Sequence, residues 1–84
     1  AYENLASVLF RTGKQDEAKA FIENALLKLP YNSKLNFLLA VIYYKEGDLQ
    51  KVVPLLQRAI LSDSSNMQAQ QMYYRIQNGM KIQI

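Results

Sequence analysis

The sequence predicts an all-α chain built from antiparallel helical hairpins, five helices in all. Three observations carry this. Apolar residues recur at i, i+3, i+4, i+7 over most of the chain, the spacing of one helical face. Residues 2–13 and 36–47 align at a fixed offset of 34 residues: Leu5 with Leu39, Ala6 with Ala40, Leu9 with Tyr43, Phe10 with Tyr44, Arg11 with Lys45 and Gly13 with Gly47. Turn residues then punctuate the pattern in a regular way, at Thr12-Gly13-Lys14, Pro30-Tyr31-Asn32, Glu46-Gly47-Asp48 and Ser62–Asn66.

Each element follows from its own residues. The first helix, over 2–11, turns Tyr2, Leu5, Ala6, Leu9 and Phe10 to one side. Gly13 suits its end, where a left-handed residue closes the last turn without a Cβ penalty. The second helix opens on Asp16 and Glu17, whose carboxylates favour the positive end of the helix dipole, and carries Lys28 in its last turn. Its inward set is Ala18, Phe21, Ile22, Ala25, Leu26 and Leu29, and Pro30 stops it. The third helix begins after Asn32 or Ser33, either of which can cap free amides. Its inward set is Leu35, Leu38, Leu39, Ile42 and Tyr43. Phe37–Tyr44 alone reads equally as a buried strand, since Val, Ile and Tyr favour sheets. The match to residues 2–13 decides for helix.

The fourth helix runs from about Leu49 to Leu61 with Asp48 as N-cap and Leu49, Val52, Val53, Leu56, Ala59 and Ile60 inward. Pro54 is discordant: at the sixth helical position its missing N–H breaks a bond to Gln50, at a cost of roughly 3 kcal/mol. A kink or a late start is expected. Ser65-Asn66-Met67-Gln68 has the form of a capping box. The fifth helix follows, with Ala69, Met72, Tyr73 and Ile76 on one face, ending near Asn78-Gly79. Met80–Ile84 is an apolar tail with no assignment from pattern.

The totals bound the function. Eighty-four residues make at most one domain, which buries only about 60–65% of its unfolded surface. There is no cysteine and no histidine, which removes disulfides, thiolate and imidazole chemistry and most transition-metal sites. No cofactor is implied. The net charge of +3 is spread out: residues 1–32 sum to zero and residues 33–66 to +1. Without a basic run, nucleic acid is disfavoured as a partner. The longest apolar run, Phe37–Tyr44, has eight residues, far short of the ~20 that span a bilayer. No insertion into a membrane by this segment is expected, and no signal peptide is visible. The chain opens at Ala1 inside a helical pattern, which reads as part of a longer protein. Its compartment is not legible. The carboxylates Asp16/Glu17 and Glu46/Asp48 sit at helix starts and turns, which accounts for them. With no phosphate loop, no nucleophile–base pair and no metal spacing, the chain is not expected to be an enzyme.

A period of 34 residues carrying two helices, with small residues at Ala6/Ala40 and Ala25/Ala59 and turn glycines at Gly13/Gly47, resembles the tetratricopeptide repeat family. The residues that carry the likeness are Tyr2, Leu5, Ala6, Leu9, Gly13, Ala18, Ile22, Ala25 and Pro30, then Leu39, Ala40, Tyr43, Gly47, Leu56 and Ala59. Val52 stands where the family has alanine, Ser64 where it has proline, and Pro54 interrupts the second hairpin. The resemblance implies a short right-handed solenoid within one domain, 1–84: repeat 1 over 1–32, repeat 2 over 33–66, a capping helix over 67–79 and the tail 80–84. The polar face Gln68, Gln70, Gln71, Arg75 and Gln77 suits a helix that closes a solenoid, with Tyr74 blocking close approach of another.

The resemblance also implies a function: a protein–protein interaction module or scaffold whose concave groove, lined by the first helix of each repeat, holds a partner peptide or helix. Carried over by position, the groove is Glu3, Ser7, Phe10 and Arg11, then Lys34, Phe37, Val41, Tyr44 and Lys45, with Gln68, Gln71 and Arg75 from the capping helix. Phe37 and Val41 stand out, because the repeat core requires no apolar residue there. The clamp that holds the carboxylate tails of heat-shock chaperones places lysine and asparagine where this chain has Glu3 and Ser7, so that partner does not fit. Self-association is the alternative: two and a half repeats leave the first helix open, and a homodimer would cover it. RNA binding is a remote third.

Overall fold

A computed structural model describes residues 2–82, with 79–82 as backbone only. Five helices follow in order: α1 Tyr2–Arg11, α2 Gln15–Lys28, α3 Ser33–Glu46, α4 Leu49–Ser62 and α5 Met67–Ile82. Among the described residues there is no strand. The fifth helix thus runs past Asn78-Gly79, and the first three residues of the expected tail continue it as helix. Gln83 and Ile84 lie outside the described residues.

The 34-residue offset reappears in the hydrogen bonds. Lys14 N–H donates to Leu9 O and Gly13 N–H to Phe10 O; Asp48 N–H donates to Tyr43 O and Gly47 N–H to Tyr44 O. Both pairs are Schellman closures around a left-handed glycine, with φ +80° at Gly13 and +82° at Gly47. A Cβ at either glycine would meet nothing within 4 Å. The glycines are there for backbone conformation, not for space. The opposite turns repeat as well. The Asn32 side chain accepts from Leu35 N–H at 2.9 Å, and that of Asn66 accepts from Ala69 N–H at 3.2 Å. Each cap then uses its amide to reach an earlier first helix. Asn32 Nδ2 donates to Glu3 at 2.8 Å, and Asn66 Nδ2 donates to Ser33 Oγ at 2.8 Å.

Of the two caps expected for α3, Asn32 serves, and the Ser33 hydroxyl instead donates to Ala59 O at 2.7 Å, tying α3 to the end of α4. Asn66, not Ser65, caps α5, so Ser65–Gln68 is no capping box. Ser65 instead donates its hydroxyl and then its amide to Asp63, which holds that carboxyl below its ordinary range. Asp48 occupies the N-cap position of α4 without a side-chain cap bond. The helix nonetheless starts at Leu49 and runs through Pro54, which excludes the late start. Pro54 and Gln50 are both exposed, so the carbonyl deprived of its N–H meets water rather than core.

The core is one cluster threaded along the stack: Ala6, Ala18, Ile22, Ala25, Leu35, Leu38, Leu39, Ala40, Ile42, Tyr43, Val52, Leu56, Ala59, Ala69 and Ile76. Three residues expected inward are half-exposed instead. Leu29 lies beyond α2 as its C-cap, and Leu49 is the first residue of α4. Leu5 is the instructive case. Its counterpart Leu39 is buried, whereas Leu5 is 48% exposed and Val8, counterpart of the fully buried Ile42, is 46% exposed. The third helix packs on α2 and α4, whereas among the described residues α1 packs chiefly on α2 and α3, which leaves Leu5 and Val8 less covered. Ala40 is fully buried, at the point where α3 meets its partners. Ala40→Leu should therefore cost about 1–3 kcal/mol by overpacking, read from urea unfolding followed by circular dichroism. A neutral outcome would mean that the helix register is wrong.

One polar assembly joins three helices. Tyr43, buried on α3, donates its hydroxyl to Glu23 of α2 at 3.0 Å. Lys19 of α2 and Lys51 of α4 place their ammonium groups 4.6 and 5.0 Å from the Tyr43 ring centre. Lys19 also pairs with Glu46 at 3.1 Å, and that bond raises its pKa against the opposing effect of burial. Burial, then the bond to Glu23, raises the pKa of Tyr43. A phenol raised in the folded state stabilises the fold fully below its unfolded pKa of about 10 and loses that contribution as pH climbs through the folded value. Tyr43→Phe should cost about 1 kcal/mol at pH 7 and blunt the alkaline loss of helicity. Equal alkaline titration of the two proteins would show that Tyr43 is not the group responsible.

Candidate functional site

First helices α1, α3 and α5 frame an open cleft of about 590 Å³. Its lining is Asn4, Ser7, Val8, Phe10 and Arg11 from α1, Lys34, Phe37 and Leu38 from α3, and Gln68 from α5. The helical period explains the α1 contribution: 4, 7, 8 and 11 fall on one face. Phe10 and Phe37 are half-buried, each packed against the core on one side and facing the cleft on the other. Arg11 and Lys34 are exposed. Lys45 stacks its ammonium 4.6 Å from the Phe10 ring centre, joining the end of α3 to the end of α1. Among the described residues, none of Arg11, Lys34, Lys45 and Arg75 takes part in an ion pair; the two that occur are Lys19–Glu46 and Lys51–Asp48.

The structure thus brings Ser7, Phe10, Arg11, Lys34, Phe37 and Gln68 around one cleft, with Lys45 against Phe10. It does not put Val41, Tyr44, Gln71 or Arg75 among that lining. Val41 is half-buried, and Tyr44, Gln71 and Arg75 are exposed elsewhere on the first helices. Glu3 is bonded to Asn32 and lies outside the lining. Asn4, Val8 and Leu38 were not anticipated. The stripe 4-7-8-11 was the available signal for the first two. Leu38 gave none, because it serves the core and the cleft wall at once.

No group of three or more His, Cys, Asp or Glu able to hold a metal ion occurs among the described residues. No described helix is long and apolar enough to cross a membrane.

Stacked hairpins with a repeating turn chemistry define a helical-repeat protein. A family model for the tetratricopeptide repeat matches residues 4–75, and the chain belongs to that family. The family is a non-catalytic protein-interaction fold: its domains bind proteins or peptides. No curated protein matches this chain.

Proposed function

We propose that this chain is a scaffold module that holds a segment of a partner protein in the cleft between α1, α3 and α5. The observation that carries this reading is the pair Phe10 and Phe37, aromatic rings half-exposed in a concave surface that also offers cations and amide side chains. Aromatic rings in a cleft give contact area at low entropic cost, and the surrounding polar groups set orientation. Val41, Tyr44, Lys45, Gln71 and Arg75 extend the same face and would contact a longer segment.

Phe37→Ala with Tyr44→Ala should reduce retention of a partner at least tenfold in a pull-down, with the variant's helicity checked by circular dichroism. Undiminished retention by a folded variant would contradict groove binding. The exposure of Leu5 on α1, outside the cleft lining, supports self-association as the second reading. Sedimentation over a concentration series separates the two, and a monomer at millimolar concentration removes the dimer.

A further inference from the structure

We infer that this chain pairs back to back with a second copy of itself, through the outer faces of α2 and α4, so that one dimer presents two open clefts. This pairing does not depend on what fills the cleft; it rests on the self-association reading above and gives it a surface other than Leu5. Leu27 and Leu61 are the most exposed large apolar side chains among the described residues, at 82% and 84%. A lone exposed leucine is ordinary on a protein surface. These two stand 34 residues apart, at the same place in the two hairpins. On α2 the helical period puts residues 16, 17, 20, 23, 24 and 27 on one stripe, and on α4 it puts 50, 51, 54, 57, 58 and 61 on the matching stripe. All of them are exposed. None lines the cleft, which is framed by α1, α3 and α5. Ala20 and Pro54 hold equivalent places, so each stripe carries a compact apolar site and, two turns on, a leucine.

The two stripes differ in charge, and that difference selects the occupant. The α2 stripe carries Asp16, Glu17 and Glu23 and no cation; the α4 stripe carries Lys51 and Arg58 and no carboxylate. The lysines of α2 are engaged elsewhere, Lys19 by Glu46 and Lys28 by the Tyr2 hydroxyl. Lys51 reaches Asp48 at 3.7 Å, whereas Asp16, Glu17 and Arg58 have no ion pair among the described residues. A second copy supplies the complement to both stripes at once. A two-fold axis parallel to the helices lays α2 of each copy on α4 of the other, an isologous contact. The helices match in length and offset, Gln15–Lys28 and Leu49–Ser62. Leu27 therefore lies level with Leu61 of the second copy, and Ala20 with Pro54 of the second copy. Acidic α2 meets basic α4 on both sides of the axis. The leucines bury apolar surface, and the charges fix which helix meets which.

The test is sedimentation equilibrium of the chain from micromolar to millimolar concentration, with the helicity of each variant checked by circular dichroism. The parent chain should dimerise. Leu27→Asp with Leu61→Asp, both at surface positions, should raise the dissociation constant at least tenfold. Raising salt from 50 to 500 mM should weaken the parent dimer several-fold. A charge exchange adds a readout that lost packing alone does not give. One variant reverses the sign of the α4 stripe (Gln50→Glu with Arg58→Glu), and another reverses that of α2 (Asp16→Lys with Glu17→Lys). Each alone should stay monomeric where the parent is dimeric. Their equimolar mixture should associate, because the facing stripes are then again opposite in sign.

A parent chain that stays monomeric at millimolar concentration would overturn the back-to-back pair and the self-association reading together. A dimer that survives Leu27→Asp with Leu61→Asp but is lost in Leu5→Asp would overturn the back-to-back pair and leave self-association through α1 standing. A mixture of the two charge variants that associates no better than either alone would overturn the placement of α2 on α4.

Discussion

Asn36→Asp should cost the fold about 3 kcal/mol or more at neutral pH, with part of that loss recovered in acid. Asn36 is completely buried, and its Nδ2 donates to Pro30 O at 3.1 Å and Asn32 O at 2.8 Å. Its Oδ1 has no partner among the described residues. The amide pins the turn between α2 and α3 from beneath. Aspartate keeps the shape but turns both donors into lost bonds, sets a carboxylate oxygen against two carbonyls, and buries a charge. Each lost buried bond costs about 1–3 kcal/mol, and the charge adds more, so the total is about 3 kcal/mol or greater. A domain of this length has on the order of 5–10 kcal/mol to lose. Burial raises the folded pKa of such a carboxyl above its unfolded value of about 3.9. The variant's deficit is therefore smallest below about pH 4 and grows as pH rises through the folded value. Urea midpoints at pH 3.5 and 7, each compared with the parent chain at the same pH, provide the check. A deficit under 1 kcal/mol, or one that deepens in acid, would refute the buried amide.

Ile42→Ala should be nearly as damaging, at about 2–5 kcal/mol. Ile42 is fully buried in the middle of α3, between the elements that flank it. Truncation leaves a cavity that the surrounding helices close only in part. Its counterpart Val8 supplies an internal control. The same position in α1 is 46% exposed. Val8→Ala should then cost about 1 kcal/mol or less. Thermal and urea unfolding of the two variants would settle the comparison. Equal costs would mean that the flank of α1 is covered after all, as a homodimer would require.

The architecture was legible because the two hairpins repeat their punctuation. Gly13 and Gly47, with the small residues Ala6 and Ala40, disclose the turns and close contacts before any coordinate does. Burial was less legible at the ends of the stack. Leu5 and Leu39 look identical in sequence, yet Leu5 is half-exposed and Leu39 buried, because α3 is packed between described helices that cover Leu39. Caps were read to within one residue, which is the usual uncertainty at helix ends. Asn66 rather than Ser65 wins the cap of α5 because the register set by Asn32 recurs there. Of the two consequences expected of Pro54, the late start does not occur, since α4 begins at Leu49 and carries Pro54 inside it.

Asn36 gave no signal, since a polar residue in the first turn of a helix is ordinarily solvated. The polar assembly around Tyr43 was equally hidden: it joins Lys19, Glu23, Glu46 and Lys51 from three helices, and sequence distance conceals that. For the cleft, assignment by family position placed six of the lining residues and missed Asn4, Val8 and Leu38. Positional transfer identifies the face of a helix but not the local twist that turns one flank toward its neighbour.

Residue-resolved amide chemical shifts, recorded during titration with the peptide that binds most tightly, test the central claim most directly. The groove account predicts that the largest changes fall on Ser7, Phe10, Arg11, Lys34, Phe37 and Gln68, with little movement at Leu27 and Leu61, which are 82% and 84% exposed and lie outside the cleft lining. Shifts concentrated on Leu27 and Leu61 instead, with the cleft silent, would contradict it.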